Sequence, residues 1–217
     1  MKKNILLFGA NSFVAKAFIR DYQNRYNLIP VYRNATETVP GLDFNDTSSI
    51  TTFVSSIDIK IDGIVFLQGI NPSMGVKDIT EEHFLKMMKV NLVTPVLLLA
   101  ALNNRLSAGA SVVFISSVAK RKGSYDPSYA AAKSGLTGLM FSLANGYPQH
   151  RFNMISLGLV EGSPVFNGMT DDFRARHASH MQNGEFIKAE NVTEVIDMVI
   201  NNVNLNKTDI AIDGGYN

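Results

Sequence analysis

Apolar residues in this chain gather in short runs separated by longer stretches of mixed polarity. The runs at 4–8, 28–32, 63–67, 111–115 and 153–157 are rich in Ile, Val, Leu and Phe, and a shorter one closes the series at 210–212. None of them alternates apolar with polar positions. That is the signature of strands covered on both faces, since a half-exposed strand alternates. The stretches between them repeat at helical spacing. Residues 13–26 carry Phe13, Val14, Ala17 and Phe18 on the apolar side, with Arg20 and Arg25 outside it. Residues 80–106 open with Thr80-Glu81-Glu82-His83, a capping sequence, and Asp78 is an alternative cap. Pro95 should kink this helix or mark a join in it. Residues 128–146 are rich in Ala and Leu, and residues 193–202 predict a last helix capped by Thr193 or Asn191.

Strands alternating with helices predict parallel βαβ units with right-handed crossovers. The fold class expected is therefore α/β: a doubly wound sheet of six to seven mostly parallel strands with helices on both faces. No repeat, linker or low-complexity tract interrupts residues 1–217, so one domain is expected. Residues 162–190 have weak periodicity and mixed polarity, as expected of a mobile lid over a site.

Charge and composition narrow the function. The 217 residues hold 20 basic and 19 acidic side chains, so no electrostatic footprint for nucleic acid or a membrane surface is visible. There is no cysteine, which excludes disulfides, thiolate metal sites and a Cys nucleophile. The apolar run after Lys2-Lys3 stops at Gly9-Ala10, too soon for a signal peptide, and the run at 96–102 is too short to span a bilayer. A cytoplasmic location is the default expectation. His177 and His180 could share a helix face, but a metal would need further ligands such as Asp171 or Glu185. Two polar residues on a lid helix capped by Asp171-Asp172 is the simpler reading, and no metal is expected. The run Lys120-Arg121-Lys122 is read either as a solvated face or as a lure for an anionic substrate.

Two local patterns carry chemistry. The first strand runs into Gly9-Ala10-Asn11-Ser12 and then a helix. A glycine there lets the backbone bend sharply, and the helix N-terminus offers free N–H groups and positive dipole to a pyrophosphate. A plain strand-helix turn looks the same, and one glycine does not separate the two. The second pattern is Tyr129-Ala130-Ala131-Ala132-Lys133, which puts a phenol and an ammonium on one helix face, one turn apart. An ammonium beside a phenol favours the phenolate and lowers its pKa from about 10, giving a general acid/base near neutrality. Ser116-Ser117 closes the strand at 111–115, at the sheet end where open α/β folds bind ligands. A pair at this spacing, or a polar strand end, is commonplace by itself.

Taken together, the residues resemble the short-chain dehydrogenase/reductase family over nearly the whole chain. Phe114-Ile115-Ser116-Ser117-Val118-Ala119 followed by Tyr129-Ala130-Ala131-Ala132-Lys133-Ser134-Gly135-Leu136 is similar to the family's catalytic block. Val90-Asn91-Leu92 is similar to its helix-borne Asn, Arg151-Phe152-Asn153-Met154-Ile155 to the strand before its Pro-Gly turn, and Ile212-Asp213-Gly214-Gly215-Tyr216 to its C-terminal signature. The resemblance implies a Rossmann-type sheet and an NAD(P)(H)-dependent enzyme that interconverts a small-molecule carbonyl and a secondary alcohol. It implies Tyr129 as general acid, Lys133 lowering the Tyr129 pKa and holding the nicotinamide ribose, Ser117 bonding the substrate oxygen, and Asn91 holding a water that relays protons to Lys133. It also implies a cofactor bed of Gly9, Asn11, Ser12, Phe13, Arg33, Asn34, Asp43, Gln68, Gly69, Gly158 and Val160, with Tyr129 and Lys133. Arg33 could pair with a 2′-phosphate, which tilts the expectation from NAD(H) towards NADP(H). Homodimers or homotetramers are implied as well.

The chain departs from the family pattern in its first loop, where Phe8, Phe13 and Ala15 replace a Thr and two glycines. A bulky Phe13 is expected where backbone should approach the pyrophosphate. That leaves an alternative, a catalytically weak nucleotide-binding or regulatory protein that keeps the fold. Phe66-Leu67-Gln68-Gly69 stands for the usual Asn-Asn-Ala-Gly, with Gln68 able to replace an Asn contact. Leu157-Gly158 stands for the Pro-Gly turn, and Gly162 for a Thr that neighbouring Ser163 could replace.

Overall fold

The computed structural model describes residues 1–34 and 41–216. Its centre is a sheet of six strands: β1 (Asn4–Phe8), β2 (Asn27–Val31), β3 (Ile61–Phe66), β4 (Leu106–Ser117), β5 (Arg151–Leu157) and β6 (Asp209–Ile212). The spatial order is β2-β1-β3-β4-β5-β6, and every neighbouring pair is parallel. The chain runs outward from β1 to β2, then crosses back to β3 on the other side of β1. That reversal leaves a crevice beyond the carboxyl ends of β1 and β3, where sheets of this kind take ligands.

The helices are α1 (Phe13–Tyr22), α2 (Ile50–Ser55), α3 (Glu81–Met88), α4 (Thr94–Leu102), α5 (Ala119–Lys122), α6 (Pro127–Gly146), α7 (Pro164–Asn167), α8 (Asp171–Ala178) and α9 (Ala189–Asn201). Alternate strand residues feed two cores. Leu6, Phe8, Ile64, Phe66, Val112 and Phe114 face one core, closed by Phe53 of α2, Leu98 of α4 and Met140 of α6. Ile5, Leu7, Val65, Val113 and Ile155 face the other, closed by Phe18 of α1 and Val192 and Ile196 of α9. In the first core the rings of Phe8, Phe66 and Phe114 lie side by side in register and stack at 5.1 and 5.3 Å. Phe44 meets the Phe8 ring edge-on at 5.7 Å. Burial on both faces explains the continuous apolar runs in the sequence. The Arg151 guanidinium closes the carboxyl end of α9 by donating to the carbonyls of Val199, Ile200, Asn202 and Leu205 at 2.8–3.2 Å, satisfying acceptors that a helix end leaves open.

Several boundaries differ from the sequence reading. Helix α1 stops at Tyr22 rather than residue 26, because Tyr26 folds back into the core and stacks 6.1 Å from Phe18. The helix expected over 80–106 is α3, a π-helical turn over Lys89–Val93, then α4, with Pro95 in the first turn of α4. The wide turn absorbs the missing N–H of the proline. This stretch is long and apolar enough to cross a membrane by length and composition, but its Met87, Val90, Leu98, Leu99 and Leu102 are buried against the protein. Helix α9 begins at Ala189, so Thr193 lies inside it, buried, with its hydroxyl on the Glu190 carbonyl and the Asp21 carboxylate. Thr170, not Asp171 or Asp172, caps α8 by accepting from the Phe173 N–H. Gly41 and Leu42, ahead of Asp43, form no strand among the described residues, and the Leu42 N–H donates to the Tyr32 carbonyl. Helices α2, α5 and α7 were not expected from the sequence.

Candidate active site

Strand β4 and helix α6 bring the phenol, the ammonium and a hydroxyl together. Ser117 is the last residue of β4, and Tyr129 and Lys133 sit one turn apart in the first half of α6. Lys133 is 4% exposed, and its Nζ donates to the Ile115 carbonyl at 2.9 Å. Burial without a carboxylate partner pulls its pKa down to about 8. The same Nζ lies 5.8 Å from the centre of the Tyr129 ring. Burial pushes the Tyr129 phenol up, and a hydrogen bond with Ser117 draws it back part of the way. The phenol therefore stands above its ordinary value, not below it as the spacing suggested, because its burial outweighs the Ser117 hydrogen bond. Ser117 Oγ accepts the Ala119 N–H at 3.2 Å, which frees its own proton to point elsewhere. Ser116 turns away and donates to the Lys133 carbonyl.

Asn91 enters from the π-helical turn. Such a turn leaves backbone carbonyls unpaired and re-aims side chains, and it recurs at functional sites. The Asn91 side chain is 1% exposed; its Nδ2 donates to the carbonyls of Met87 and Ile70, and its Oδ1 accepts the Ile70 N–H. Gly69 joins the groups: a Cβ there would lie 3.0 Å from Asn91 Oδ1 and 3.5 Å from Lys133 Nζ. The four residues singled out by resemblance thus meet around Gly69 and the end of β4.

A cleft of about 840 Å³ leads away from Gly69 over the carboxyl ends of β1 and β3. Gly9, Asn11, Ser12, Arg33, Asn34, Asp43, Gln68 and Gly69 line it, joined by Tyr32, Phe44, Asn71, Lys86 and Val90, which the sequence reading did not include. Gly9 is at φ +78°, and a Cβ there would stand 2.5 Å from the Gln68 backbone nitrogen, so only glycine fits the close approach of the two strand ends. Ser12 caps α1 by accepting the Ala15 N–H at 3.2 Å. The N–H groups of Phe13 and Val14, ahead of it, have no intrahelical acceptor. Asp43 accepts the Asn45 N–H and so shapes its own turn. Gln68 Oε1 is buried without a hydrogen-bond partner among the described residues.

Phe13, Gly158 and Val160 are not part of this cleft lining, and neither are Tyr129 and Lys133, which reach it only through Gly69 and Asn91. The Phe13 ring turns the other way, onto Gly162, whose Cβ position lies 3.2 Å from Phe13 Cζ. The aromatic residue of the first loop therefore does not plug the crevice. Gly158 follows β5 and packs against Ile187 and Asp213, and Val160 bridges to Ile187. Arg121 and Lys122 of the basic run are exposed, as a solvated face would be, but all three side chains are paired. Lys120 pairs with Asp209, Arg121 with Asp213, and Lys122 with the Tyr216 carbonyl, so the run straps α5 to β6 and the tail. His177 and His180 lie against the Tyr216 ring at 4.5 and 5.6 Å.

A family profile described as enoyl-(acyl carrier protein) reductase matches residues 15–217. The chain belongs to the short-chain dehydrogenase/reductase family. It is 32% identical over 140 residues to the short chain dehydrogenase penD of Penicillium thymicola, a match covering 62% of this chain and 47% of the relative. The chain thus spans about half the length of the curated relative it matches. Among solved structures it is similar to a small-chain dehydrogenase in complex with NADPH, with TM-score 0.88 and 22% identity over 100% of this chain and 99% of that one. It is also similar to 4-hydroxyisoleucine dehydrogenase complexed with NADH, with TM-score 0.88 and 21% identity over 99% and 98%. Both share the Rossmann-type sheet described above.

Proposed function

We propose that this family member is an NAD(P)(H)-dependent oxidoreductase that interconverts a carbonyl and a secondary alcohol. The observation that carries the reading is the meeting of Asn91 and Lys133 beside Gly69, at the edge of a long cleft, with Lys133 near the Tyr129 ring and Ser117 against its phenol.

The cleft suits a dinucleotide. A buried Gln68 Oε1 without a partner asks for a donor such as an amide or ribose hydroxyl. The start of α1 offers unpaired N–H groups to a pyrophosphate. Arg33, Asn34 and Asp43 stand at the outer end, where an adenosine would lie. Arg33 favours a 2′-phosphate there, so NADP(H) is preferred over NAD(H).

A nicotinamide bound in the cleft would supply the hydride. The protein supplies a proton and a place for the oxygen. In the reducing direction Tyr129 donates its phenolic proton to the carbonyl oxygen, and Ser117 donates a second hydrogen bond to it. Lys133, with a pKa near 8, exchanges a proton close to neutrality and replenishes the phenolate through water beside Asn91 Oδ1. Asn91 is held by three hydrogen bonds and so keeps that water position fixed. A homodimer or homotetramer is part of the proposal: Val93, Leu97 and Phe141 are 42%, 42% and 46% exposed on the α3–α4 stretch and α6. Light scattering measures that state.

Binding of NADPH and NADH, followed by nicotinamide fluorescence, is the first test. A panel of ketones, sugars and acyl thioesters then finds turnover. Tyr129→Phe should lower turnover by about 100-fold or more while cofactor affinity stays near normal. Undiminished turnover in that variant, or absence of binding by either nucleotide, rejects the reading.

A further inference from the structure

One carboxylate organises the start of α6. Asp126 is fully buried and caps the helix by accepting the N–H groups of Ser128 at 3.0 Å and Tyr129 at 3.3 Å, with the Ser128 hydroxyl as a third donor. Those bonds are what any good cap makes. Two others reach outside the helix. The Met74 N–H donates to Asp126 Oδ2 at 3.2 Å, and His83 Nε2 lies 2.6 Å from the same oxygen. Burial pushes the Asp126 carboxyl up, but the hydrogen bonds from Ser128, His83, Met74 and Tyr129 outweigh it and leave the pKa at about 2. An ionised carboxylate can only accept, so His83 Nε2 carries the proton and donates.

The pair therefore joins three parts of the chain. His83 lies in the first turn of α3, the helix that continues into the turn bearing Asn91. Met74 lies in the segment from β3 to α3, where Ser73 adopts φ +61°. Tyr125, next to Asp126, packs its phenol oxygen against the same segment, 2.7 Å from where a Gly75 Cβ would be. Tyr129 is the third residue of α6, so its backbone stands where this carboxylate holds it.

We propose that Asp126 and His83 are positioning residues for Tyr129: the buried pair locks the first turn of α6 to α3 and residues 71–78, and so fixes the phenol oxygen against Ser117 and the reacting carbonyl. The proposal rests on the reading of Tyr129 as proton donor. A helix cap alone needs only the Ser128 and Tyr129 bonds, so a purely structural role would cost stability without moving the phenol.

The test follows the phenol directly. Tyrosine ring carbons are labelled with 13C, and Tyr129→Phe identifies the Tyr129 signal. In His83→Leu that signal should shift and its titration midpoint should move by about half a pH unit or more. Turnover should fall about tenfold or more, with KM for the nicotinamide nucleotide changing less than about twofold. His83→Gln, whose amide can donate to the same oxygen, should restore both. A folded His83→Leu with an unmoved phenol signal, or a moved signal with unchanged turnover, overturns the proposal. Should the wild-type protein show no turnover, the redox reading fails, while the phenol signal still decides the positioning claim. If His83→Leu does not fold, Asp126→Asn replaces it with the same expectations, since it keeps an oxygen for the cap and loses the charge.

Discussion

The ammonium of Lys133 lies 2.9 Å from the carbonyl oxygen of Ile115, one strand residue short of the serine pair that ends β4. The bond satisfies the carbonyl but gives the charge no counterion.

That geometry makes stability depend on alkaline pH. The folded pKa of Lys133, about 8, lies below its ordinary 10.5. Between these values the unfolded chain binds a proton that the folded chain does not, so stability rises with pH. The penalty is fully present below pH 8 and vanishes above 10.5. Urea unfolding of wild type and Lys133→Met at pH 7 and pH 10.5 should show the wild type gaining about 3 kcal/mol on the variant.

The Phe13 ring rests on Gly162 rather than in the cleft. Phe13→Ala should therefore leave the Kd for nicotinamide nucleotides within about threefold of wild type. Protease cleavage within residues 162–190 should speed up, because the ring no longer packs on that segment. A much tighter Kd in the variant would show that the ring obstructs the site after all.

Arg151 holds four carbonyls at the end of α9. Arg151→Met should destabilise the fold by about 2 kcal/mol or more, read as a lower urea midpoint with an unchanged slope.

Phe66 is the middle ring of the ladder between Phe8 and Phe114. Phe66→Ala should cost about 3–5 kcal/mol by opening a cavity between two stacked neighbours. Phe66→Leu should cost about 1–2 kcal/mol, since it keeps most of the volume.

The sheet was legible because parallel strands buried on both faces write themselves as unbroken apolar runs. Strand β4 was longer than its run because Leu106–Ala110 includes Ser107 and Gly109, which carry no apolar signal. The Tyr129 and Lys133 spacing and the family block gave the site residues. Asp126-Pro127 ahead of an Ala-rich helix was a readable cap signal that went unused. What no local pattern contains is a long-range partner. The Ile115 carbonyl for Lys133, Asp209 and Asp213 for the basic run, and Gly162 for Phe13 exist only once β4, β6 and the segment after β5 are assembled.

The π-helical turn over Lys89–Val93 has a consequence for engineering. A turn of that width accommodates one residue more than regular α geometry would, while the faces on either side stay aligned. Deleting a residue beside Asn91 would let α3 and α4 merge into one regular helix with its apolar stripe intact. Pro95 would then stand in the interior of a regular helix without an N–H to give, so the shortened protein should be less stable, and its asparagine amide would swing off the Ile70 backbone. At this point in the chain the irregular turn both houses the proline and aims the asparagine.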